Sequence, residues 1–409
     1  MPSADLSTRA APAAAKSAGH GLAVLLLAVS AFVIVTTEFI IVGLLPSLAH
    51  DLGISISAAG QLVTVFAFTV MVAGPFLTAM LSHFERKRLF VVILAVFAAA
   101  NALAAAAPDI WVLGFARFLP ALALPVFWGT ASETAGELAG TEKAGKAVAN
   151  VYLGISGAMV LGIPLGTLAS EAFGWRGTFW GLSALSLLMA VALSLVMPTL
   201  ARPPRVKLAE QARILKDPYF LGNVVLSVIV FTAMFTAYTY LADTLQQVAH
   251  IPVGQVGWWL MGFGLVGLGG NWLGGQFVGR GPLTVTLIAA LVLAAGMAAT
   301  TLLAGSHIWL AVALAVWGIA NTALYPICQV RVMQSASHAQ ALAGTLNVSM
   351  ANAGIGLGAI IGGMVIQHWG LAQVGYVAAG IALLAAVVAP LVGRLKRPPN
   401  RLAGARESG

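Results

Sequence analysis

The chain has 409 residues, of which 60% are hydrophobic and only 8% charged, against a usual ~25% charged. So few charges cannot cover a water-soluble protein of this length. The formal net charge of +8 comes without any basic domain interleaved with aromatic residues, which excludes nucleic-acid binding. Cys328 is the single cysteine, which excludes an intrachain disulfide and fits a small buried residue.

A membrane-spanning helix needs about 20 mainly apolar residues. The placement of charges and of polar or glycine breaks predicts twelve: about 21–48, 57–82, 88–107, 109–132, 146–169, 177–198, 218–242, 256–279, 282–304, 308–331, 340–366 and 371–393. The first is too long for a signal-peptide core and lacks a small-residue cleavage site, so it is expected to stay uncut. Within its apolar stretch from Gly21 to Ala49, Glu38 is the only charged residue. A carboxylate at that depth costs about 2.5–3.5 kcal/mol on insertion scales unless it is protonated or paired.

The fourth helix carries a second buried charge, Arg117. It lies eight residues inside Asp109, or about 12 Å at 1.5 Å per residue. Glu38 lies nine residues from Ser47 at the corresponding end of its own helix, or about 13–14 Å. The opposite charges share a depth, and if the two helices adjoin they can form either a permanent ion pair or one that opens and closes. All seven histidines fall at helix ends or in loops, so no imidazole competes for a proton at mid-membrane. Asp243, near the end of the seventh helix, is a weaker candidate. Among the polar groups at depth, Thr37, Asn150, Tyr238 and Asn321 are the expected substrate-cavity residues. They lie on the helices expected to face Glu38 and Arg117, or on their repeat mates.

Two soluble-enzyme signatures are decoys. Gly140-Thr-Glu-Lys-Ala-Gly145-Lys146 resembles a phosphate loop, but Ala147 stands where Mg²⁺ needs a hydroxyl, and no strand precedes it. Gly262-x-Gly264-x-x-Gly267 matches a dinucleotide fingerprint inside a spanning helix, where glycines instead allow close helix packing. No nucleotide domain, metal-ligand cluster or nucleophile–base pair occurs at depth. The chain is therefore expected not to be an enzyme and to need no cofactor or metal.

With the N-terminus placed in the cytoplasm, 19 of the 21 Lys and Arg fall on that side. The exceptions are Arg117 within a helix and Arg176 in an outer loop. That asymmetry is the positive-inside rule, and it predicts that both termini are cytoplasmic. The twelve helices are predicted to be two sixes. Gly60–Gln61 recurs as Gly254–Gln255, Arg86 as Arg280, Ile110–Trp111 as Ile308–Trp309, and Asn150–Val151 as Asn347–Val348, at offsets of 194 to 198. The expected organisation is a tail at 1–20, a six-helix bundle at 21–198, a cytoplasmic linker at 199–217, a second bundle at 218–393 and a tail at 394–409. Parallel repeats of this kind bind substrate near the midplane, where the halves meet and rock.

Thr36-Thr37-Glu38-Phe39 with Val42-Gly43-Leu44-Leu45 resembles the start of bacterial sugar-efflux transporters, in the drug:proton antiporter branch of the major facilitator superfamily. Glu85-Arg86-Lys87-Arg88-Leu89, Val126-Phe127-Trp128, the run Met159 to Gly166 leading to Phe173-Gly174-Trp175-Arg176, Thr236-Ala237-Tyr238-Thr239-Tyr240, Trp317-Gly318-Ile319-Ala320 and Gly375-Tyr376-Val377 extend the likeness over about residues 21–393. The resemblance implies a major facilitator fold and proton-driven export, with Glu38 and Arg117 coupling proton to substrate. It also implies that Gly162-x-Pro164-x-Gly166 is the antiporter motif. The Asp-Arg-x-Gly-Arg that the superfamily usually carries after its second helix is replaced by Ser82-His83-Phe84-Glu85-Arg86, so Glu85 and Arg86 are expected to serve the cytoplasmic gate.

The reading is thus an all-α polytopic membrane protein of twelve helices in two pseudo-symmetric bundles. It is expected to be a monomer in the bacterial inner membrane that exports a sugar or sugar-like solute by proton antiport. Alternatives are efflux of hydrophobic drugs, nucleosides or amino acids, and a non-transporting membrane component.

Overall fold

A computed structural model describes residues 10–81, 83–140, 144–200, 212–336 and 340–395. In lipid, backbone N–H and C=O groups must be satisfied within the segment, which leaves helices as the solution for a chain this apolar. Helices account for nearly all of the described residues, and no strand occurs among them. They are α1 (Ala10–Asp51), α2 (Ile56–Leu81), α3 (Arg86–Ala105) and α4 (Ile110–Ala139). The fifth, α5, starts as Ala144–Gly157, passes through a π-helical turn at Ala158–Gly162 and continues into the run Ile163–Val196.

That run is two helices. Gly174 sits at φ 68°, ψ 164°, and Thr178 Oγ1 donates to Gly166 O at 3.2 Å. Twelve residues of straight helix would separate those groups by about 18 Å, so the chain folds back at Gly174. Residues 163–173 complete α5, and residues 175–196 are α6. The second half comprises α7 (Pro218–Tyr238), then α8 (Val253–Phe277), α9 (Pro282–Leu302), α10 (His307–Ser335), α11 (Gln340–Trp369) and α12 (Val374–Arg394). After a break at Thr239–Tyr240, α7 resumes as Leu241–Asp243 and ends in a π turn, Thr244–Val248. An even number of crossings puts the start of α1 and the end of α12 at one end of the bundle, called here the termini end. The other is the far end.

The few charged side chains at helix starts are used as caps. Glu85 accepts from the N–H groups of Lys87 and Arg88 at 2.9 Å, Asp109 from Trp111 and Val112 at 2.9 Å, and Asp217 from Tyr219 at 2.8 Å. Each satisfies donors that a helix start leaves open. At the far end, Asp51 accepts from Trp175 Nε1 at 2.9 Å and from Arg176. Arg176 also stacks on the Trp175 ring and donates to Ala107 O. One side-chain cluster thus ties α1, α3 and α6 together.

The helices pack as α1–α6 and α7–α12, and the two sets meet along two main seams, α2 against α11 and α5 against α8, with a smaller contact between α1 and the end of α7. A shift of six helices carries α2 onto α8 and α5 onto α11, so the two seams are one contact formed twice about a pseudo-two-fold axis. On α11, Gly356 meets Phe68 of α2, whereas Gly354 and Gly358 lie on α7 backbone. On α8, Gly257 and Gly264 meet α5, while Gly267, Gly270 and Gly274 meet α10. The α5–α8 seam is therefore closed from the far end to mid-depth, and below it α8 packs within its own half. The linker expected at 199–217 and both tails lie largely outside the described residues, although α1 begins at Ala10, ahead of the expected 21.

Candidate transport site

The face of α1 that meets α5 is set by three close approaches. A Cβ on Gly162 would sit 2.0 Å from Thr36 Oγ1, one on Gly166 2.3 Å from Ile40 Cδ1, and one on Gly43 2.0 Å from Thr167 Oγ1. Glu38 is two residues on from Thr36, about 200° round the helix, and so faces the opposite way, toward α2, α4 and α11. There it borders a space of about 10 Å³ lined also by Phe66, Ala67, Arg117, Asn352 and Ile355. That is room for about one water molecule. A transported solute needs the surrounding helices to move apart.

Arg117 is 1% exposed, and its guanidinium lies over the Phe66 ring at 4.4 Å. It donates to two α1 backbone carbonyls, to Thr37 O and to Glu38 O, the latter at 2.6 Å. The Glu38 carboxylate is not its hydrogen-bond partner, and no ion pair joins the two side chains. Each carbonyl oxygen has a second lone pair beyond its helical bond, so the arginine is held without engaging the acid. Arg117 Nε and Asn352 Oδ1 remain buried without partners. The site thus holds a fixed cation, an unengaged carboxyl group and a free amide oxygen contributed from the other half.

The four expected cavity residues do not converge on this space. Thr37, about 100° round from Glu38, accepts from Asn101 Nδ2 of α3 at 3.2 Å. Asn150 is exposed on α5. Tyr238 and Asn321 are brought together in the second half by a run of rings. Phe39 meets Phe235 at 5.8 Å, Phe235 meets Tyr238 at 5.5 Å, Tyr238 meets Phe263 at 5.6 Å and Phe263 meets Trp317 at 5.3 Å. Trp317 Nε1 donates to Asn321 Oδ1 at 3.3 Å. In this conformation Tyr238 and Asn321 share an aromatic cluster, apart from Thr37 and Asn150.

Of the expected gate residues, Glu85 is the α3 cap. Arg86, 2% exposed, pairs with Glu133 Oε2 of α4 at 2.5 Å. Gly162 and Gly166 face α1, and the Pro164 carbonyl faces Gly257 of α8. Pro164 has no N–H for the preceding turn. The register shifts just before it, and the Ile163 N–H reaches Ala158 O in the π turn.

Glu133 lies one residue beyond the expected end of the fourth helix, which in fact runs to Ala139. Asn352 is one turn before Gly356, whose lack of a side chain marks the α2-facing side of α11. Arg331 was counted among the flanking charges, but α10 continues to Ser335 and Arg331 is 2% exposed. It donates to Thr286 Oγ1 at 2.9 Å, Ser227 Oγ at 2.8 Å and Asn223 O at 3.1 Å. It is an internal brace, which leaves eighteen basic residues on the termini side. Of the described histidines, His50, His307 and His368 sit near helix ends and His83 and His250 between helices, whereas His20 lies inside α1, which starts at Ala10; His338 lies outside the described residues.

Two repeated six-helix halves with buried charges at their seam define a polytopic membrane transporter. The family model described as Major Facilitator Superfamily matches residues 27–348 and 250–409. The chain is 36% identical over 368 residues to the inner membrane transport protein YdhP of Escherichia coli (strain K12), covering 88% of this chain and 94% of that one. It is 31% identical over 384 residues to the uncharacterized MFS-type transporter YtbD of Bacillus subtilis (strain 168), covering 93% and 97%. Among solved structures, it is similar to a bacterial homolog of the human lysosomal transporter Spinster in an inward-facing and occupied conformation. That likeness has a TM-score of 0.75 at 16% identity over 93% of this chain and 99% of that one. A D-xylose-proton symporter gives 0.74 at 16% identity over 90% and 96%. The chain belongs to the major facilitator superfamily. It is a multi-pass membrane transporter and not an enzyme.

Proposed function

We propose that the protein exports a small solute, sugar or sugar-like, across the bacterial inner membrane in exchange for protons, by alternating access between its two halves. It works as a monomer, without cofactor or metal, with the termini end in the cytoplasm. The observation that carries this reading is the Glu38 carboxyl group, poised beside Arg117 but not bonded to it, in a water-sized space where the halves meet. Such a group can gain and lose a proton without breaking the structural contacts of the arginine. Its separation from the guanidinium sets how strongly the two charges interact, so a small change of separation alters proton affinity. The termini-side excess of basic residues supports the orientation, and the name of the Escherichia coli relative supports the membrane.

The test is reconstitution in proteoliposomes with an imposed pH gradient and a panel of labelled solutes, sugars included. Uphill solute movement coupled to the gradient is expected for the wild type. Glu38→Gln is expected to abolish the coupled movement while solute–solute exchange continues. Flux indifferent to the gradient removes the antiport reading, and coupled flux surviving Glu38→Gln removes the assigned carrier.

A further inference from the structure

Asp243 is 0% exposed, and neither of its carboxylate oxygens has a hydrogen-bond partner. Thr239 Oγ1, four residues earlier, is likewise buried without one. An isolated carboxylate in that setting has neither water nor a partner to offset its desolvation. The segment Leu241–Asp243 packs on α1 and on the π turn Thr244–Val248. Between Glu38 and His50, α1 carries no titratable or cationic residue, and the turn carries none. His50 and Asp51 are exposed at the end of α1, and Asp51 is engaged by Trp175 and Arg176. Tyr240 is the titratable group within electrostatic reach of Asp243, and its hydroxyl already donates to Ala359 O at 2.7 Å. Apart from its own backbone, these elements place no cationic side chain beside Asp243.

The position gives that acid a lever. Tyr240 is wedged against Gly60 of α2 and against Gly362 and Gly363 of α11. Beside it, Gln367 Nε2 donates to Ser57 Oγ at 3.1 Å across the same seam. The break in α7 therefore sits where the far end is sealed.

We propose that Asp243 is a second proton-binding site, separate from Glu38, and that the far end seals only when its carboxyl group carries a proton. Opening the seam admits water, which lets Asp243 ionise; closing expels the water and requires the proton back. A group protonated when closed and ionised when open makes closure pH-dependent. One such proton shifts the closed-to-open ratio up to about tenfold per pH unit, with closure favoured at low pH.

The inference rests on the alternating-access reading, and its test is conformational rather than a transport assay. Spin labels at His50→Cys and His368→Cys, both exposed at the far end, in a Cys328→Ser background report the seam distance against pH. The expected result is a closed fraction that rises as pH falls, and an Asp243→Asn protein that is closed throughout. An unchanged pH response in Asp243→Asn overturns the proposal. So does a response abolished by Glu38→Gln with Asp243 intact, which would leave the transport reading standing. If transport proves indifferent to the gradient while the Asp243 response persists, the coupling reading fails and this one survives. Infrared spectroscopy gives a second readout. The carbonyl band of a protonated carboxylic acid is expected at neutral pH in Glu38→Gln, where Asp243 carries it, and to be missing in the Glu38→Gln/Asp243→Asn double variant. A band that persists in the double variant, or is absent from Glu38→Gln, overturns the assignment.

Discussion

Gly264→Ala separates packing from propensity at the α5–α8 seam. A Cβ at Gly264 would lie 2.6 Å from Met159 O, 3.0 Å from Val160 Cα and 3.1 Å from Met159 C. All are backbone atoms that no rotamer change can move. Ordinary contact begins near 3.4 Å, so α8 must retreat from α5 by 0.8 Å, the difference from 2.6 Å. Overpacking of that kind costs about 1–3 kcal/mol, against a gain of about 1 kcal/mol in helix propensity for replacing glycine. Gly269→Ala supplies the reference, because it lies on the same helix with nothing within 4 Å and registers the propensity gain alone. The difference between the two variants should be about 1–3 kcal/mol in favour of Gly269→Ala, or about 5- to 150-fold in the population of the closed seam. Spin-label distances across α5 and α8, with thermal midpoints in detergent, read both quantities. If Gly264→Ala matches Gly269→Ala in stability and in seam distance, backbone contact between the halves does not hold this conformation.

Two further outcomes follow from packing at single residues. Arg331→Gln should lower the thermal midpoint by an amount equivalent to about 3 kcal/mol or more, because it strips charge-assisted bonds from Thr286 and Ser227 inside the second half; an unchanged midpoint contradicts the bracing role. Gly174→Ala meets no atom within 4 Å, so its cost is conformational. At φ 68°, ψ 164° a side chain costs about 1–3 kcal/mol, which a denaturation series should register as loss of stability with the α5–α6 turn still formed.

Depth was legible in the sequence and direction was not. Counting residues from the helix ends put Glu38 and Arg117 at a common level, and the adjoining helices α1 and α4 bring them into one site. Counting says nothing about which way a side chain faces. Thr37 and Glu38 are neighbours in the chain, yet one turns into the first half against Asn101 and the other toward the seam. The sequence allowed a permanent pair or one that opens and closes; in this conformation Arg117 instead holds two α1 carbonyls, and backbone acceptors leave no trace in a residue pattern. Helix ends were blurred for a related reason. The expected ends of the fourth and tenth helices stopped at a charge, but α4 and α10 run on past Glu133 and Arg331, because one charge satisfied by a neighbouring helix does not end a helix. The glycines resembling a dinucleotide fingerprint sorted cleanly: Gly264 lies on α5, Gly267 on α10, and Gly262 meets nothing within 4 Å.

Ten helical stretches among the described residues are long and apolar enough to cross a membrane on their own, one of them being the folded-back pair α5 and α6. Val253–Phe277 is not among them, although its 25 residues are ample. Nine of those residues are glycine and three are tryptophan, which lowers its mean hydropathy although Trp258, Leu265, Leu268 and Trp272 are exposed. Its glycines fit it closely to its neighbours: α10 along one side and, across the seam, α5. During synthesis α8 emerges after α5 and before α10, so its first available support comes from the half already made. Its insertion is in that sense templated by the first half of the chain. The surface across which the proposed movement of the halves takes place is also the one on which the second half begins to assemble.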